Sequence, residues 1–278
     1  MQSEPNSTAN DAAAGSDVKA QRGINALEST GELLVSLAGA SQPLGLRDLA
    51  AAAGMPPAKA FPHLVSLLKI GLLSRDEDGC FSAGPLGFQL GLVALQRMSP
   101  TRDAEPEIAS LAATTQLTVA AAALGPLGPT IIRLEESARP QHISLRVGTV
   151  MSLVNTSIGR VFAAHMEEDA LERWLSHESI RLAGAQAEEP LSRAYRERLN
   201  RIRENGIDES FDAPVPGVGT VAAPALDHTG GISLVIALIG SSASFDAGPQ
   251  GPVGRALLAA TQRLSWRFGA SGAATPAG

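Results

Sequence analysis

Residues Leu44 to Ser82 have the sequence LGLRDLAAAAGMPPAKAFPHLVSLLKIGLLSRDEDGCFS and contain the clearest structural signals of the N-terminal part. Apolar residues at helical spacing predict a short helix over Leu46–Ala53 and another from about Ala58 to Ile70. Gly54 ends the first helix at a position that favours a left-handed residue. Asp78-Gly79 predicts a tight hairpin between two short strands. This order of elements is typical of a winged helix-turn-helix.

Pro62 lies inside the second of these helices. A proline deep within a helix costs about 3 kcal/mol, whereas the first turn tolerates it because its missing N–H has no intrahelical partner there. We therefore place Pro62 in the first turn of the helix or at its edge. If the helix begins earlier, Pro62 would kink it. Upstream, apolar positions from Ile24 to Leu37 predict a further helix that precedes the helix-turn-helix.

The remaining chain predicts a linker and a second domain. A helix that follows Gly84-Pro85 is apolar over a broad arc, so we expect it to pack against a second copy of itself or against a neighbouring domain. Hairpin-linked strands then alternate irregularly with helices, which favours an α+β domain with an antiparallel sheet over a parallel one. The predicted boundaries are a disordered tail over 1–20, a winged helix over 21–84, a linker helix over 85–100, the second domain over 101–270 and a flexible tail over 271–278.

Composition narrows the class of protein. The chain has 278 residues, of which 44% are hydrophobic and 18% charged, as expected for two globular domains. Its formal net charge of −6 excludes a basic signature over the whole chain. We see no signal peptide and no apolar run of about 18 residues, so we expect a soluble, cytoplasmic protein without a membrane segment.

An enzyme is the second functional class to consider. The five histidines form no pattern of metal ligands, and Gly217-Val218-Gly219 lacks the pattern of a phosphate-binding loop. No nucleophile motif lies near His142 or His228. We therefore expect no enzymatic activity, no metal and no cofactor.

Four segments together carry a resemblance to a known family. They are GMPPAKAFPHLVSLLKIGLLSRDEDGCFSAGP from Gly54, NTSIGRVFAAH from Asn155, IRENGIDESF from Ile202 and PGVGTVAAPALDHTGGISLVIALIG from Pro216. In this order and spacing they resemble the IclR (isocitrate-lyase-regulator) family of bacterial transcription factors, from about Gly23 to Gly269. The resemblance implies a winged helix, a linker helix used in dimerisation and a GAF-like effector-binding domain. It also implies a homodimer or homotetramer that binds double-stranded operator DNA and responds to a small metabolite.

The DNA-binding residues are predicted by their positions. The second helix of the helix-turn-helix is the recognition helix, and it must present side chains to base edges and phosphates. The preceding helix and the wing supply further cations. The candidates are Arg47, Lys59, Phe61, His63, Ser66, Lys69 and Arg75. For Phe61 a place in the core is equally compatible with the pattern. Phe61-Pro62 stands where family members often carry a polar pair such as His-Arg.

The net charge of the predicted winged helix is compatible with a second function. Residues 22–82 contain five bases and six acids, a balance of −1. Because neutralisation of phosphates supplies most non-specific affinity, we expect weaker DNA binding than is usual. The alternative is a ligand-binding or scaffold protein whose winged helix has lost strong DNA binding.

The effector site is predicted from the same resemblance. Family members bind the effector at the start of the NTSIG helix and on neighbouring strands, which correspond here to Ser157, Ile158, Gly159, Ser210, Thr220, Ala237 and Ile239. N–H groups at a helix start favour an anion, and we consider Arg160 a further charge partner. Since Thr220, Ala237 and Ile239 make the site less polar than one for a small hydrophilic acid, we expect a small organic acid with an apolar or aromatic body. For Ala237 and Ile239, simple packing in the core is the alternative.

Overall fold

The computed structural model describes residues 24–136, 145–178, 191–244 and 251–270. These residues form two compact units, one up to Gln89 and the other from Leu90 onward. The predicted tails over 1–20 and 271–278 lie outside the described residues.

The first unit is a winged helix-turn-helix, as predicted. Three helices precede a two-stranded antiparallel wing, and a fourth helix continues into the second unit. In chain order these are α1 Asn25–Ala38, α2 Leu46–Ala52, α3 Pro57–Lys69, β1 Leu73–Arg75, β2 Phe81–Ala83 and α4 Pro85–Arg97.

A small apolar core joins the three helices to the wing. Leu33 of α1, Leu49 of α2, Leu64 of α3 and Phe81 of β2 are almost completely buried. Gly54 has a φ of +65°, in the left-handed region that favours glycine. It therefore turns the chain between α2 and α3, as its position in the sequence predicted.

The prediction for Pro62 is wrong. The helix α3 begins at Pro57, which occupies its first turn, and Pro62 lies in the helix interior. The observed helix begins one residue before the predicted start at about Ala58, because Pro57 is well suited to the first helical position. Pro62 has no N–H to donate to the carbonyl of Ala58, so one bond of the helical ladder is missing.

The second unit is an α+β domain around a five-stranded antiparallel sheet. Its elements after α4 are α5 Pro100–Asp103, α6 Glu105–Thr115, β3 Thr118–Gly125, β4 Gly128–Glu135, α7 Ser157–Ala164, α8 Glu168–Glu178, α9 Arg193–Asn205, β5 Asp208–Phe211, β6 Val218–Leu226, β7 Ile232–Ser241 and α10 Pro252–Arg267. The strand order is β4-β3-β7-β6-β5, and every neighbouring pair is antiparallel.

Apolar side chains cover both faces of this sheet. Alternate residues of β3 illustrate the division, since Val119 belongs to the core shared with α6 and α10 while Ala120 belongs to the core shared with α7, α8 and α9. A strand buried on both sides has no polar face, which is why β3 and β7 are nearly continuous apolar runs. The candidate effector residues lie on the face covered by α7.

Candidate functional site

The exposed surface of α3 carries positive charge. Lys59 and Lys69 are exposed, and the helix contains no acidic residue. Phe61 is 50% exposed, so its ring lies at the surface rather than in the core. Ser66 is also exposed, and its hydroxyl donates to the carbonyl of Pro62 at 2.9 Å. The acidic side chains of this unit therefore lie on other elements.

His63 is tied to α1. Its Nδ1 lies 2.7 Å from Oγ1 of Thr30, and that hydroxyl donates to the carbonyl of Ala26 at 2.7 Å. Because the single proton of Thr30 is used in this way, Nδ1 of His63 must be the donor and carries the proton. The half-buried ring is thus fixed through Nδ1, and Nε2 is the ring nitrogen that takes no part in this contact.

The two arginines flanking α3 have different surroundings. Arg47 is an exposed side chain on α2. Arg75 is also exposed, but its Nε donates to the carbonyl of Gly79 at 3.0 Å, and its guanidinium lies 5.5 Å from the centre of the Phe81 ring. Arg75 therefore folds back over the wing, beneath a turn that carries the acids of 76–78.

An apolar cavity of about 100 Å³ lies between α7 and the sheet of the second unit. Its polar edge is contributed by four hydroxyl-bearing residues, two of which lie at the start of α7. No charged side chain lines it among the described residues. The lining consists of Leu145, Met151, Thr156, Ser157, Ile158, Ser210, Ala213, Pro214, Val215, Val218, Thr220 and Ile239.

One wall of the cavity is a row of residues across three adjacent strands. Ser210 of β5 pairs with Thr220 of β6, and Thr220 pairs with Ile239 of β7. Directly paired residues project from the same face of an antiparallel sheet. This register brings together three of the predicted effector residues that are distant in sequence.

The start of α7 forms the opposite wall. Thr156 caps the helix, since its hydroxyl accepts from the N–H of Gly159 at 3.0 Å and donates to the carbonyl of Ser152 at 2.7 Å. The N–H groups of Ser157 and Ile158 occupy the first positions of the helix, where no intrahelical acceptor exists. Both residues line the cavity, so the positive end of the helix dipole lies beside it.

Gly159 is next to the cavity but does not line it. A Cβ atom at this position would lie 1.8 Å from the carbonyl oxygen of Ser152. The absence of a side chain therefore allows the start of α7 to lie directly against the preceding loop. Gly159 shapes the site through this close approach of two backbones.

Arg160 is bonded to several groups within the second unit. Its side chain is 4% exposed and its Nε donates to Oδ2 of Asp208 at 2.8 Å. Nη1 donates to the carbonyl of Val154 at 2.9 Å, and Nη2 contacts the hydroxyl of Ser157 at 3.4 Å. Asp208 also accepts from Nε of Arg198 at 3.0 Å. The guanidinium is thus neutralised within the protein and lies behind the cavity wall.

Ala237 lies on β7 two residues before Ile239, beyond the row of paired residues that forms the cavity wall. It pairs with Ala222 and with Ala120 across the sheet and is fully buried. Ala237 belongs to the core that α7 covers and is not among the residues that line the cavity. Packing in the core, the alternative for this residue, describes its position, whereas Ile239 both belongs to the core and lines the cavity.

The loop between β5 and β6 closes the outer side of the cavity. Oδ1 of Asp212 accepts from the N–H of Gly217 and from the hydroxyl of Ser242, both at 2.8 Å. These bonds, led by that from Ser242, lower the pKa of the Asp212 carboxyl. The hydroxyl of Ser210 donates to the carbonyl of Ala213 at 2.7 Å, so a side chain of β5 also holds the loop in place.

Several cavity residues had no signal in the sequence. Ala213, Pro214 and Val215 belong to a loop without periodicity, and Leu145 and Met151 precede the NTSIG segment at irregular spacing. Val218 begins a predicted strand, and its alternation with Thr220 could have placed it on the same face. These side chains make the cavity more apolar than the predicted residues alone.

Two further findings concern membrane-spanning helices and metal sites. Within the described ranges, no helix is both long and apolar enough to cross a membrane. The same ranges contain no group of three or more His, Cys, Asp or Glu side chains placed to hold a metal ion.

A winged helix-turn-helix followed by an α+β domain with a small cavity is typical of a transcriptional regulator. Comparison with known families agrees with this class. Residues 26–77 match the IclR helix-turn-helix domain, and residues 93–266 match the C-terminal domain described as bacterial transcriptional regulator IclR. The chain therefore belongs to the IclR family of transcriptional regulators.

Individual relatives and solved structures extend this comparison. The HTH-type transcriptional regulator KdgR of Escherichia coli is 23% identical over 208 residues, which are 74% of this chain and 77% of KdgR. The crystal structure of Pseudomonas aeruginosa HmgR is 31% identical, covers 90% of this chain and 100% of its own, and superposes with a TM-score of 0.73. Agobacterium tumefaciens repressor BlcR shares the fold at 19% identity and a TM-score of 0.67, over 89% of this chain and 98% of its own.

Proposed function

We infer that this regulator binds operator DNA through α3 and the wing, and that a small organic acid in the cavity behind α7 modulates the binding. The observation that carries the inference is the cavity itself, an apolar space of about 100 Å³ with the start of α7 at its polar edge. We infer that the function is regulatory rather than catalytic, in keeping with the family.

The exposed face of α3 supports the DNA-binding half of the proposal. Lys59 and Lys69 flank Phe61 and Ser66 along a helix without acids. Cations on this face can neutralise phosphates, while side chains between them reach base edges. Nε2 of His63 and the guanidinium of Arg47 add polar groups nearby. Arg75 would have to leave the Phe81 ring to reach a phosphate.

The lining of the cavity supports an acid with an apolar body. A carboxylate can accept from the N–H groups of Ser157 and Ile158, where the helix dipole stabilises negative charge. The hydroxyl of Thr220 lies on the opposite wall and makes no hydrogen bond within the described part of the chain. Engineered apolar cavities of about 150 Å³ hold benzene, so the smaller space of about 100 Å³ suits a short branched acid, and a single ring would require the lining to widen.

The exposed apolar side chains of α4 support a homodimer or a higher homo-oligomer. Phe88 and Leu90 are 64% and 56% exposed, and Leu92 and Val93 follow on the same helix. Several large apolar side chains exposed on one helix are typical of a protein interface. Pairing through α4 would also present two winged helices to one operator, which raises affinity through avidity.

A footprinting experiment tests the DNA-binding half. The full chain is titrated onto DNA that flanks its own gene, at low salt, with a shuffled sequence of equal length as control. The proposal expects a protected segment on the flanking DNA alone. Absence of protection by folded, oligomeric protein would contradict it.

A thermal-shift screen of carboxylic acids tests the effector half. Acids with an apolar body should raise the melting temperature, while sugars and cations should leave it unchanged. In a Thr220→Val variant, which keeps the shape but removes the hydroxyl, the affinity for the same acid should fall roughly tenfold. Cys80→Ser, in the other unit, is the control and should bind the acid normally. Stabilisation by sugars or cations and by no acid would exclude this effector class.

The second candidate function is a ligand-binding or scaffold protein with a winged helix that has lost strong DNA binding. The balance of −1 over 22–82 favours it, as do Pro62 inside α3 and the acids at the tip of the wing. Ligand binding without any footprint would support this alternative.

A further inference from the structure

The buried side chain of Arg160 is the most heavily bonded charged group beside the cavity. Its Nε, Nη1 and Nη2 each have a different acceptor, namely Asp208, the carbonyl of Val154 and the hydroxyl of Ser157. Removing a charge from water is costly, and an ion pair offsets that cost only with good geometry and further hydrogen bonds. The arrangement around Arg160 meets both conditions.

One of these acceptors lines the cavity, and the other two belong to segments that adjoin it. Val154 lies in the loop before α7, and Ser157 is the first residue of the helix and lines the cavity. The third acceptor, Asp208, begins β5, two residues before Ser210 on the opposite wall. The guanidinium therefore connects the loop, the helix start and the strand that together surround the cavity.

Other contacts hold the same loop from further sides. The hydroxyl of Tyr195 donates to the carbonyl of Leu153 at 3.0 Å, and Oγ of Ser152 accepts from the N–H of Asn155 at 2.9 Å. Arg198 holds the second oxygen of Asp208 but touches neither the loop nor α7 in these contacts. Arg160 and Arg198 thus share one carboxylate while only Arg160 reaches the cavity wall.

We propose that Arg160 is a positioning residue for effector binding: its planar fork, held by Asp208, fixes the loop 152–156 and the start of α7 in the geometry that receives the ligand. It acts through Ser157 and the backbone and does not contact the effector. The proposal rests on the proposed function in that it takes this cavity as the effector site.

Hydrogen exchange on the full chain tests the proposal without any ligand. Arg160→Lys keeps a cation beside Asp208, but a single ammonium cannot replace three nitrogens of a fixed fork. Peptides covering 152–160 should exchange at least about tenfold faster, while peptides covering 218–226 and 232–241 should remain unchanged. Arg198→Lys is the matched control, and its 152–160 peptides should exchange as in the wild type.

Three results would overturn the proposal. They are unchanged exchange of 152–160 in Arg160→Lys, an equal acceleration throughout the sheet, or the same acceleration of 152–160 in Arg198→Lys. If Arg160→Lys does not fold, Asp208→Asn replaces it, because it preserves shape and weakens the hold on the fork. The same local acceleration is then expected, and its absence counts against the proposal.

A binding measurement separates positioning from direct contact. The acid that most stabilises the wild type in the thermal-shift screen is compared with its carboxamide. A positioning role predicts that Arg160→Lys weakens both by the same factor, about tenfold or more, whereas direct pairing with the carboxylate predicts a change for the acid alone. If no acid binds, the proposed function fails, and the exchange measurement still decides the role of Arg160.

Discussion

Gly159 and Arg160 are adjacent in sequence but shape the cavity by opposite means. Gly159 contributes the absence of a side chain, because a Cβ atom would lie 1.8 Å from the carbonyl oxygen of Ser152. Arg160 contributes a long side chain that reaches back to the loop and across to β5. The close contact at Gly159 brings the loop within reach of the guanidinium.

Replacement of Gly159 by alanine should strongly destabilise the second unit. The clash involves backbone on both sides, so α7 or the loop must move, and we expect a loss of at least about 3 kcal/mol in the free energy of unfolding. Urea denaturation measures this loss. The matched control is Gly31→Ala in α1, where a Cβ meets no atom within 4 Å and stability should rise by up to about 1 kcal/mol. Equal stability of the two variants would contradict the packing described for Gly159.

His165, at the end of α7, should make stability depend on pH. Burial lowers its pKa from the ordinary value of 6.5, a hydrogen bond to the carbonyl of Val161 opposes this, and Arg203 lowers it further. The unfolded chain therefore binds the proton more tightly than the folded one. Stability from this residue is complete above pH 6.5 and is lost as the pH falls from there through the lower folded pKa.

The variant His165→Asn should reduce this pH dependence. Asparagine can place an N–H near the position of Nδ1, but it does not titrate. Chemical denaturation of the wild type and the variant at intervals between pH 7.5 and pH 5 compares the two slopes. An identical loss of stability in both proteins on acidification would assign the effect to other groups.

Among the elements, α3 contains a proline in its interior, which a helix normally disfavours. Pro62 interrupts the hydrogen-bond ladder in the middle of the proposed recognition helix. Pro62→Ala should raise the free energy of unfolding of the first unit by about 1–2 kcal/mol, since the restored N–H outweighs the greater freedom of the unfolded chain. Thermal melting measures it. A lower melting temperature would show that the helix is adapted to the proline.

Elements with strong local patterns were predictable from the sequence. Asp78-Gly79 and the glycines after α2 and α3 predicted the wing and the turns, because a tight turn needs a residue that tolerates positive φ. The strand β5 was not assigned, since Asp208 and Ser210 are polar residues in buried positions and thus hide the alternation of the strand. The start of α3 was predicted one residue late because adjacent prolines differ in conformation: Pro56 is extended and precedes the helix, whereas Pro57 is its first residue.

At the scale of the whole molecule, the candidate site depends on strand order, which local patterns do not contain. Ser210, Thr220 and Ile239 are neighbours only because β6 lies between β5 and β7. The family resemblance identified these three positions, whereas periodicity alone would not have joined them. The partnership of Arg160 with Asp208 was not predictable for the same reason, since 48 positions separate the two residues.

Assembly through α4 is testable with variants of a single helix. Phe88→Glu combined with Leu92→Glu places charge on the exposed apolar surface and should convert the oligomer into monomer, as measured by light scattering. The control is Gln89→Glu combined with Gln96→Glu, which adds the same charge at exposed polar positions of α4 and should leave the assembly intact. An oligomer that survives the first pair of changes would place the interface elsewhere.

We propose that the cavity behind α7 and the surface of α3 belong to one ligand-controlled DNA switch. The most direct measurement is an equilibrium titration of the flanking DNA at fixed salt, with and without a saturating concentration of the acid found by thermal shift. We predict a change of at least about fivefold in DNA affinity, in keeping with an ordinary allosteric coupling, and in Thr220→Val the half-maximal change should require about tenfold more acid. Equal DNA affinity with and without bound acid, in protein that binds both, would contradict it.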